Sequence, residues 1–163
     1  MSAHDLSHIQ YTQGKSHKDD VIALIVSKWN PAVTEALFKG AVDVLIAAGV
    51  DFDNILRYNV PGSYELPTGA MFAIDKNLED NPLDGVICLG CVIQGETRHF
   101  DFICQSVADG VMRVGLDYNI PAIFGVLTPN TDAQALDRAG GKLGNKGCEA
   151  AVAMLEMIDL QRA

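Results

Sequence analysis

The sequence predicts an α/β domain in three layers, with a four-stranded parallel sheet covered by helices on both faces. Three observations carry that expectation. Four short β-rich runs alternate with helical patterns. Three of the runs are continuously apolar, as strands buried on both faces must be. No linker, internal repeat or low-complexity stretch breaks the alternation, so residues 21–163 read as one domain behind a polar tail over residues 1–20. A chain of 163 residues suits one such domain with one sizeable core. The polar tail is expected to gain order by docking, on a neighbouring chain if at all.

The runs lie at residues 21–26 (VIALIV), 55–60 (ILRYNV), 85–93 (GVICLGCVI) and 122–127 (AIFGVL). After the first, Asn30-Pro31 reads as an N-cap followed by proline at the first helical position. Val33, Leu37, Ala41, Val44 and Ala48 follow at helical period until Gly49 stops them. After the second run, Pro61, Gly62 and Pro67 fix the backbone and present Ser63 and Glu65 at a helix start. After the third, Phe100, Ile103, Val107, Val111 and Val114 draw one stripe along a long helix. Thr131 with Gln134 spells a capping box, and Gly140-Gly141 ends that short helix. Cys148, Ala151, Val152, Leu155 and Ile158 share a face of the last helix. Right-handed crossovers then give an open sheet of flavodoxin-like topology, which binds ligands at the carboxyl ends of its strands.

Charge narrows the function classes. Twelve basic against twenty-one acidic residues leave a net charge of −9, the wrong sign for a general binder of nucleic acid or anionic membrane. No run approaches the ~18–20 apolar residues of a membrane-spanning helix. The amino terminus lacks the apolar stretch of a secretory signal. Cys88, Cys91, Cys104 and Cys148 sit inside apolar segments rather than at the spacings of a disulfide scaffold, so the cytoplasm is the expected compartment. Cys88 and Cys91 spell CxxC, but residues three apart on a strand face opposite ways, which excludes a dithiol redox centre. His4 and His8 have helical metal-ligand spacing without a third ligand, and no metal is expected.

Chemistry is therefore sought just past each strand. Trp29, the only tryptophan, leaves the first run beside a helix start. Position alone allows it to stack on a flat heterocycle or to lid the core. Glu65 in a first helical turn suits both a cap and an acceptor for ligand hydroxyls. The third exit, GCVIQGETRHFD, joins a close-approach glycine (Gly95), a hydroxyl (Thr97) and the opening amides of the long helix, the makings of an anion site. His99, the only histidine outside the tail, either completes that helix start or moves protons near neutral pH. Beyond the fourth run, Arg138, Lys142 and Lys146 concentrate positive charge within nine residues of an acidic chain. Arg grips phosphate bidentately, and Lys serves as a point charge.

Taken together, KWN, VPGSYELP, GCVIQGETRHFDFIC and GVLTPNTDAQALDRAG running into GKLGNKG resemble the lumazine synthase family in order and spacing. The resemblance implies condensation of 5-amino-6-(ribitylamino)uracil with 3,4-dihydroxy-2-butanone 4-phosphate, giving 6,7-dimethyl-8-ribityllumazine, phosphate and water without cofactor or metal. It implies that Trp29 stacks on the pyrimidine, where many members have phenylalanine. Asn30, Ser63 and Glu65 would hold the ribityl hydroxyls, with Tyr64 in the same substrate site. The backbone at Val92 and Ile93 would read the ring's amide edge. The Glu96 and Thr97 amides with Arg138 would hold the phosphate, and His99 would be the proton shuttle. Phe124, Lys146 and Arg138 would enter from the adjacent subunit. Gln94 replaces an arginine common in the family, and the Glu96 carboxylate is expected to turn away from the phosphate.

The resemblance also implies pentamers, and the short Arg138-to-Gly147 connection resembles members that close into a 60-subunit shell. Riboflavin synthase is a further candidate partner. The alternative is a riboflavin-binding or shell-forming paralogue with weak or no synthase activity. A flavin- or phosphate-binding module of the same topology fits less well, because Ser27-Lys28-Trp29-Asn30 is not a glycine-rich phosphate loop. A receiver-type signalling domain is excluded by the lack of acidic residues at the ends of the first and third runs.

Overall fold

The computed structural model describes residues 11–12 and 14–163. His4 and His8 lie outside the described residues. Strands β1 (Ile22–Ser27), β2 (Ile55–Val60), β3 (Gly85–Cys91) and β4 (Ala122–Leu127) form one parallel sheet in the order β2-β1-β3-β4. The two central strands, β1 and β3, are buried at every residue, whereas β2 and β4 at the edges are only partly covered. Of the two edges β2 is the more exposed, with Arg57 and Asn59 in solvent, and it is the one without a continuous apolar run. The third run was expected to reach Ile93 but ends as a strand at Cys91. There β1 has already ended, and only β4's side still pairs, with Val92 N–H on the Leu127 carbonyl and Gln94 N–H on that of Pro129.

Helices α1 (Pro31–Ala47), α4 (Asp132–Asp137) and α5 (Lys146–Gln161) cover one face of the sheet, and α2 (Leu66–Asn77) and α3 (His99–Tyr118) the other. Each face buries its own apolar cluster. Leu24, Leu37, Leu89 and Leu155 anchor the first, and Ile25, Leu66, Val107 and Val111 the second. Cys91 faces the first cluster and Cys88 the second, as alternation along a strand requires. Burial pushes the Cys88 thiol up to about 12 and the Cys91 thiol to about 11.

The punctuation holds with two corrections. Pro31 opens α1, and Gly49 (φ 95°) closes it with Val50 N–H on the Leu45 carbonyl, a Schellman-type stop. Asn30, however, does not cap the helix with its side chain. It adopts φ 55°, and its amide reaches another strand. Thr131 caps α4 through the Gln134 N–H, while the Gln134 side chain accepts from Asn130 rather than from Thr131. The second correction follows α4. Gly140-Gly141 is not merely a helix end but part of a hairpin, β5 (Ala139–Gly141) against β6 (Gly144–Asn145). Strands of three and two residues are too short to carry a periodic pattern.

Helices α1 and α5 touch backbone to backbone. A Cβ on Gly147 would collide with the Leu37 carbonyl, so only glycine fits there. The segment before β1 docks on its own chain. His17 and Asp20 are fully buried, Tyr11 donates to Asp159 of α5, and Arg162 reaches Asp20 at 2.7 Å.

Candidate functional site

The carboxyl ends of β1 and β2 build one shelf. Trp29 is 70% exposed, so it lids no core. Its indole lies beside Gly62, where a Cβ would stand 3.3 Å from Trp29 Cδ1. Asn30 donates through Nδ2 to the Cys91 carbonyl at 3.0 Å, tying this exit to that of β3 and leaving Oδ1 open as an acceptor. Ser63 opens a 3-10 turn over Ser63–Glu65 that leads into α2. Glu65 accepts from Gly62 N–H at 2.8 Å through Oε2, so one carboxylate oxygen is a cap and the other has no partner among the described residues. Ser63 is 6% exposed; its Oγ faces the Gly90 backbone and lacks a hydrogen-bond partner among the described residues. Tyr64 is exposed beside it.

The exit of β3 supplies backbone groups and an imidazole. Val92 N–H is occupied by Leu127, whereas neither the amide nor the carbonyl of Ile93 has a partner among the described residues. Ile93 faces the side that β1 has vacated. Gly95, Glu96, Thr97 and His99 are all exposed, and a Cβ on Gly95 would meet nothing within 4 Å. The amides of Glu96 and Thr97 donate to no partner among the described residues and stand before the twenty-residue α3, where the helix dipole favours an anion. His99 opens that helix with its ring unpartnered among the described residues. Arg98 is drawn along α3 instead, 3.8 Å from Asp101 and over the Phe102 ring.

The positive charges form a separate group. Lys146 N–H bonds the Arg138 carbonyl across the β5-β6 hairpin at 2.9 Å. Arg138 donates through Nη1 to the Leu143 carbonyl and through Nη2 pairs with Glu149, whose other oxygen is 3.1 Å from Lys146 Nζ. Lys142 pairs with Asp137 at 3.2 Å. The start of α5 is anchored at mid-length on α1, by Cys148 on the Gly40 carbonyl and by Gly147 against Leu37. Phe124 lies on edge strand β4, half-buried toward α2 and α3. Among the described residues no hydrogen bond or ion pair joins Arg138 or Lys146 to Trp29, Ser63, Glu65, Glu96, Thr97 or His99.

The chain thus presents a ring-sized shelf with open acceptors and an anion-ready helix start, and apart from these a cation pair. Sequence reasoning missed Glu149. Its signal was the i, i+3 spacing from Lys146 inside the first turn of a helix. Elsewhere, a concavity of about 440 Å³ opens at the amino end of β4, lined by Met112, Leu116, Ile120, Ile123, Met157 and Leu160 and lacking any titratable side chain. Among the described residues no three His, Cys, Asp or Glu side chains gather to hold a metal ion, and no helix is long and apolar enough to cross a membrane.

Comparison with known proteins covers nearly the whole chain. The family model described as 6,7-dimethyl-8-ribityllumazine synthase matches residues 20–162. The chain is 54% identical to the protein of that name from Cytophaga hutchinsonii over 138 residues, 85% of this chain and 84% of the relative. It is 46% identical to that of Porphyromonas gingivalis over 159 residues, 98% and 96% of the two chains. With that of Bacteroides fragilis it shares 47% over 136 residues, 83% and 92%.

Proposed function

The chain belongs to the 6,7-dimethyl-8-ribityllumazine synthase family, and on that premise we propose that its two substrates react in a pocket assembled from two subunits. It is a transferase of riboflavin biosynthesis that condenses 5-amino-6-(ribitylamino)uracil with 3,4-dihydroxy-2-butanone 4-phosphate. The observation that supports the shared pocket is that, among the described residues, no hydrogen bond or ion pair joins the Trp29 shelf to Arg138 or Lys146. Their hairpin and helix start are tied instead to α1 at Ala36 and Gly40. Each half offers what the other lacks.

In this reading Trp29 stacks on the pyrimidine, and the Ile93 backbone, with Val92 beside it, reads the ring's amide edge. Asn30 Oδ1 and Glu65 Oε1 accept from the ribityl hydroxyls, with Ser63 and Tyr64 in the same wall. The Glu96 and Thr97 amides meet the phosphate of the ketone, and Arg138 and Lys146 reach it from the neighbour along with Phe124. The Glu96 side chain stays in solvent. The pyrimidine's 5-amine attacks the ketone, and loss of water gives an imine. His99 relays protons while phosphate leaves, and ring closure expels a second water. Alignment of two substrates can account for ~7–11 kcal/mol of the barrier.

A monomer is inactive on this account. The exposed Phe102, Met112 and Leu116 on α3 are the kind of apolar face that a lone soluble chain rarely leaves to water. Pentamers are the unit we assign. The tight β5-β6 hairpin, with no insertion before α5, favours further closure into a 60-subunit shell, and riboflavin synthase, which consumes the product, is the partner this reading assigns. The four free cysteines suit a cytoplasmic enzyme. The test is subunit complementation: Trp29→Ala and Arg138→Ala chains, each nearly inactive alone, are co-assembled and followed by lumazine absorbance. Random mixing at equal ratio restores about a quarter of the intact seams, because a heterologous ring pairs one face with the next. No recovery in mixed, correctly sized particles overturns the shared pocket.

A further inference from the structure

Glu149 stands in the first turn of α5 with its side chain only 9% exposed, and among the described residues it is the one carboxylate that touches both Arg138 and Lys146. The two cations are themselves only 23% and 31% exposed. Neither is a free surface charge. The Leu143 carbonyl holds Arg138 from a second side, and the Lys146 amide is pinned to the Arg138 carbonyl. The carboxylate therefore fixes where two donors point, and it lowers the charge of the trio from two to one.

We propose that Glu149 is a positioning residue for the phosphorylated substrate, holding Arg138 and Lys146 apart on its two oxygens and tempering their joint pull on a dianion. The inference rests on the reading that these cations hold the substrate phosphate. Arg138 spends one hydrogen bond on Leu143 and sets its Nη2 against Glu149 as an ion pair, which leaves further guanidinium donors, and Lys146 keeps two of its three. Both can bind an anion without releasing the carboxylate. A dianion facing two unscreened cations in a partly dry site would be held tightly both before and after its bond to carbon breaks. With Glu149 present the niche grips well enough to orient the leaving group and weakly enough to release inorganic phosphate.

The test uses the assembled enzyme and three variants. Measured are kcat, KM for the phosphorylated ketone, the inhibition constant of inorganic phosphate, and Tm. Glu149→Gln removes the charge and keeps the shape; phosphate should inhibit about 3–10-fold more tightly while kcat falls by a similar factor. Glu149→Asp keeps the charge but is one methylene too short to span both cations; kcat should fall with no tightening of phosphate. The opposite effects of the two variants on phosphate are a readout that a purely structural carboxylate would not produce. If phosphate inhibition in Glu149→Gln is unchanged or weaker, whether or not Tm falls, the proposal is overturned. Should Glu149→Gln fail to assemble, Glu149→Asp decides alone, and unchanged kcat there overturns it. Arg138→Ala separates the two levels: unaltered phosphate inhibition in that variant means that the cations do not hold phosphate at all.

Discussion

Asn30 Nδ2 donates to the Cys91 carbonyl at 3.0 Å from a residue whose own backbone sits at φ 55°. One side chain thereby links the exits of β1 and β3, beneath the shelf that Trp29 tops. Asn is among the few residues that enter the left-handed region at low cost, and few others carry a donor short enough for this reach. Asn30→Ala should lose about 1–2 kcal/mol from backbone strain and about 1 kcal/mol from the lost hydrogen bond. Asn30→Gly should recover the first part only. Urea midpoints of the two variants separate the contributions, and equal midpoints would show that the backbone is unstrained.

The segment from Tyr11 to Asp20 is strapped down by a chain of polar contacts on the end of α5. Tyr11 donates to Asp159, so its oxygen accepts from His17 Nε2 at 2.7 Å and from Gly14 N–H, while His17 Nδ1 is 2.7 Å from Asp20. The Tyr11 hydrogen bond holds the Asp159 carboxyl below its ordinary 3.8. Burial, and then that same bond, raise the Tyr11 hydroxyl above 10.0. A depressed carboxyl contributes stability above its unfolded value and loses it as pH falls through the folded one. A raised phenol keeps its contribution until pH climbs through its folded value. The strap should therefore keep its full contribution between the two ordinary values, 3.8 and 10.0, and lose it only as pH falls through the depressed carboxyl value or climbs through the raised phenol value. Limited proteolysis within residues 11–20 checks this, with protection expected at pH 7 and cleavage rising toward both the acid and the alkaline extreme. Tyr11→Phe should flatten the profile, and a profile unchanged in that variant would rule out the bond as its cause.

How much was legible follows from what each element needs. The four strands stood out because burial on two faces leaves an apolar run, or a bounded β-branched one at the edge. The long helices followed from their stripes, with Val107, Val111 and Val114 buried as read. Asn30 was misread because a cap signal is local, whereas its partner Cys91 is sixty-one residues away. The strap was invisible for the same reason, since Asp159 lies 148 residues from Tyr11. Of the candidate site, the strand exits supplied the residues but not their pairings. The i, i+3 spacing of Glu149 pointed to Lys146 alone, and nothing local pointed to Arg138, eleven residues earlier and across a hairpin.

Gly147 tests the seam between α1 and α5. Its Cα faces the Leu37 backbone, and a backbone atom cannot swing aside as a side chain can. Gly147→Ala should cost about 3 kcal/mol, the upper end of the overpacking range, by prising the helices apart. It should also move Glu149 and the cations beside it. Thermal unfolding together with phosphate inhibition reads both effects. Wild-type stability in this variant would mean that the helices slide freely.

His99 and Arg138 should fail differently. Replacing His99 with alanine removes a proton relay but leaves both substrates aligned, and general acid-base help amounts to about 10²–10⁴-fold. Residual turnover should remain measurable and should recover partly with added imidazole. Replacing Arg138 removes a planar donor set suited to a phosphate dianion and leaves Glu149, nearly buried, with Lys146 as its only cation. The niche then loses its net positive charge, and turnover should drop below that of His99→Ala by at least about tenfold, a difference of 1.4 kcal/mol in the barrier. Single-turnover rates with both substrates saturating make the comparison without interference from product release. If Arg138→Ala proves the more active of the two, proton transfer rather than anion departure limits the chemistry, and the division of labour between strand exit and hairpin must be reversed.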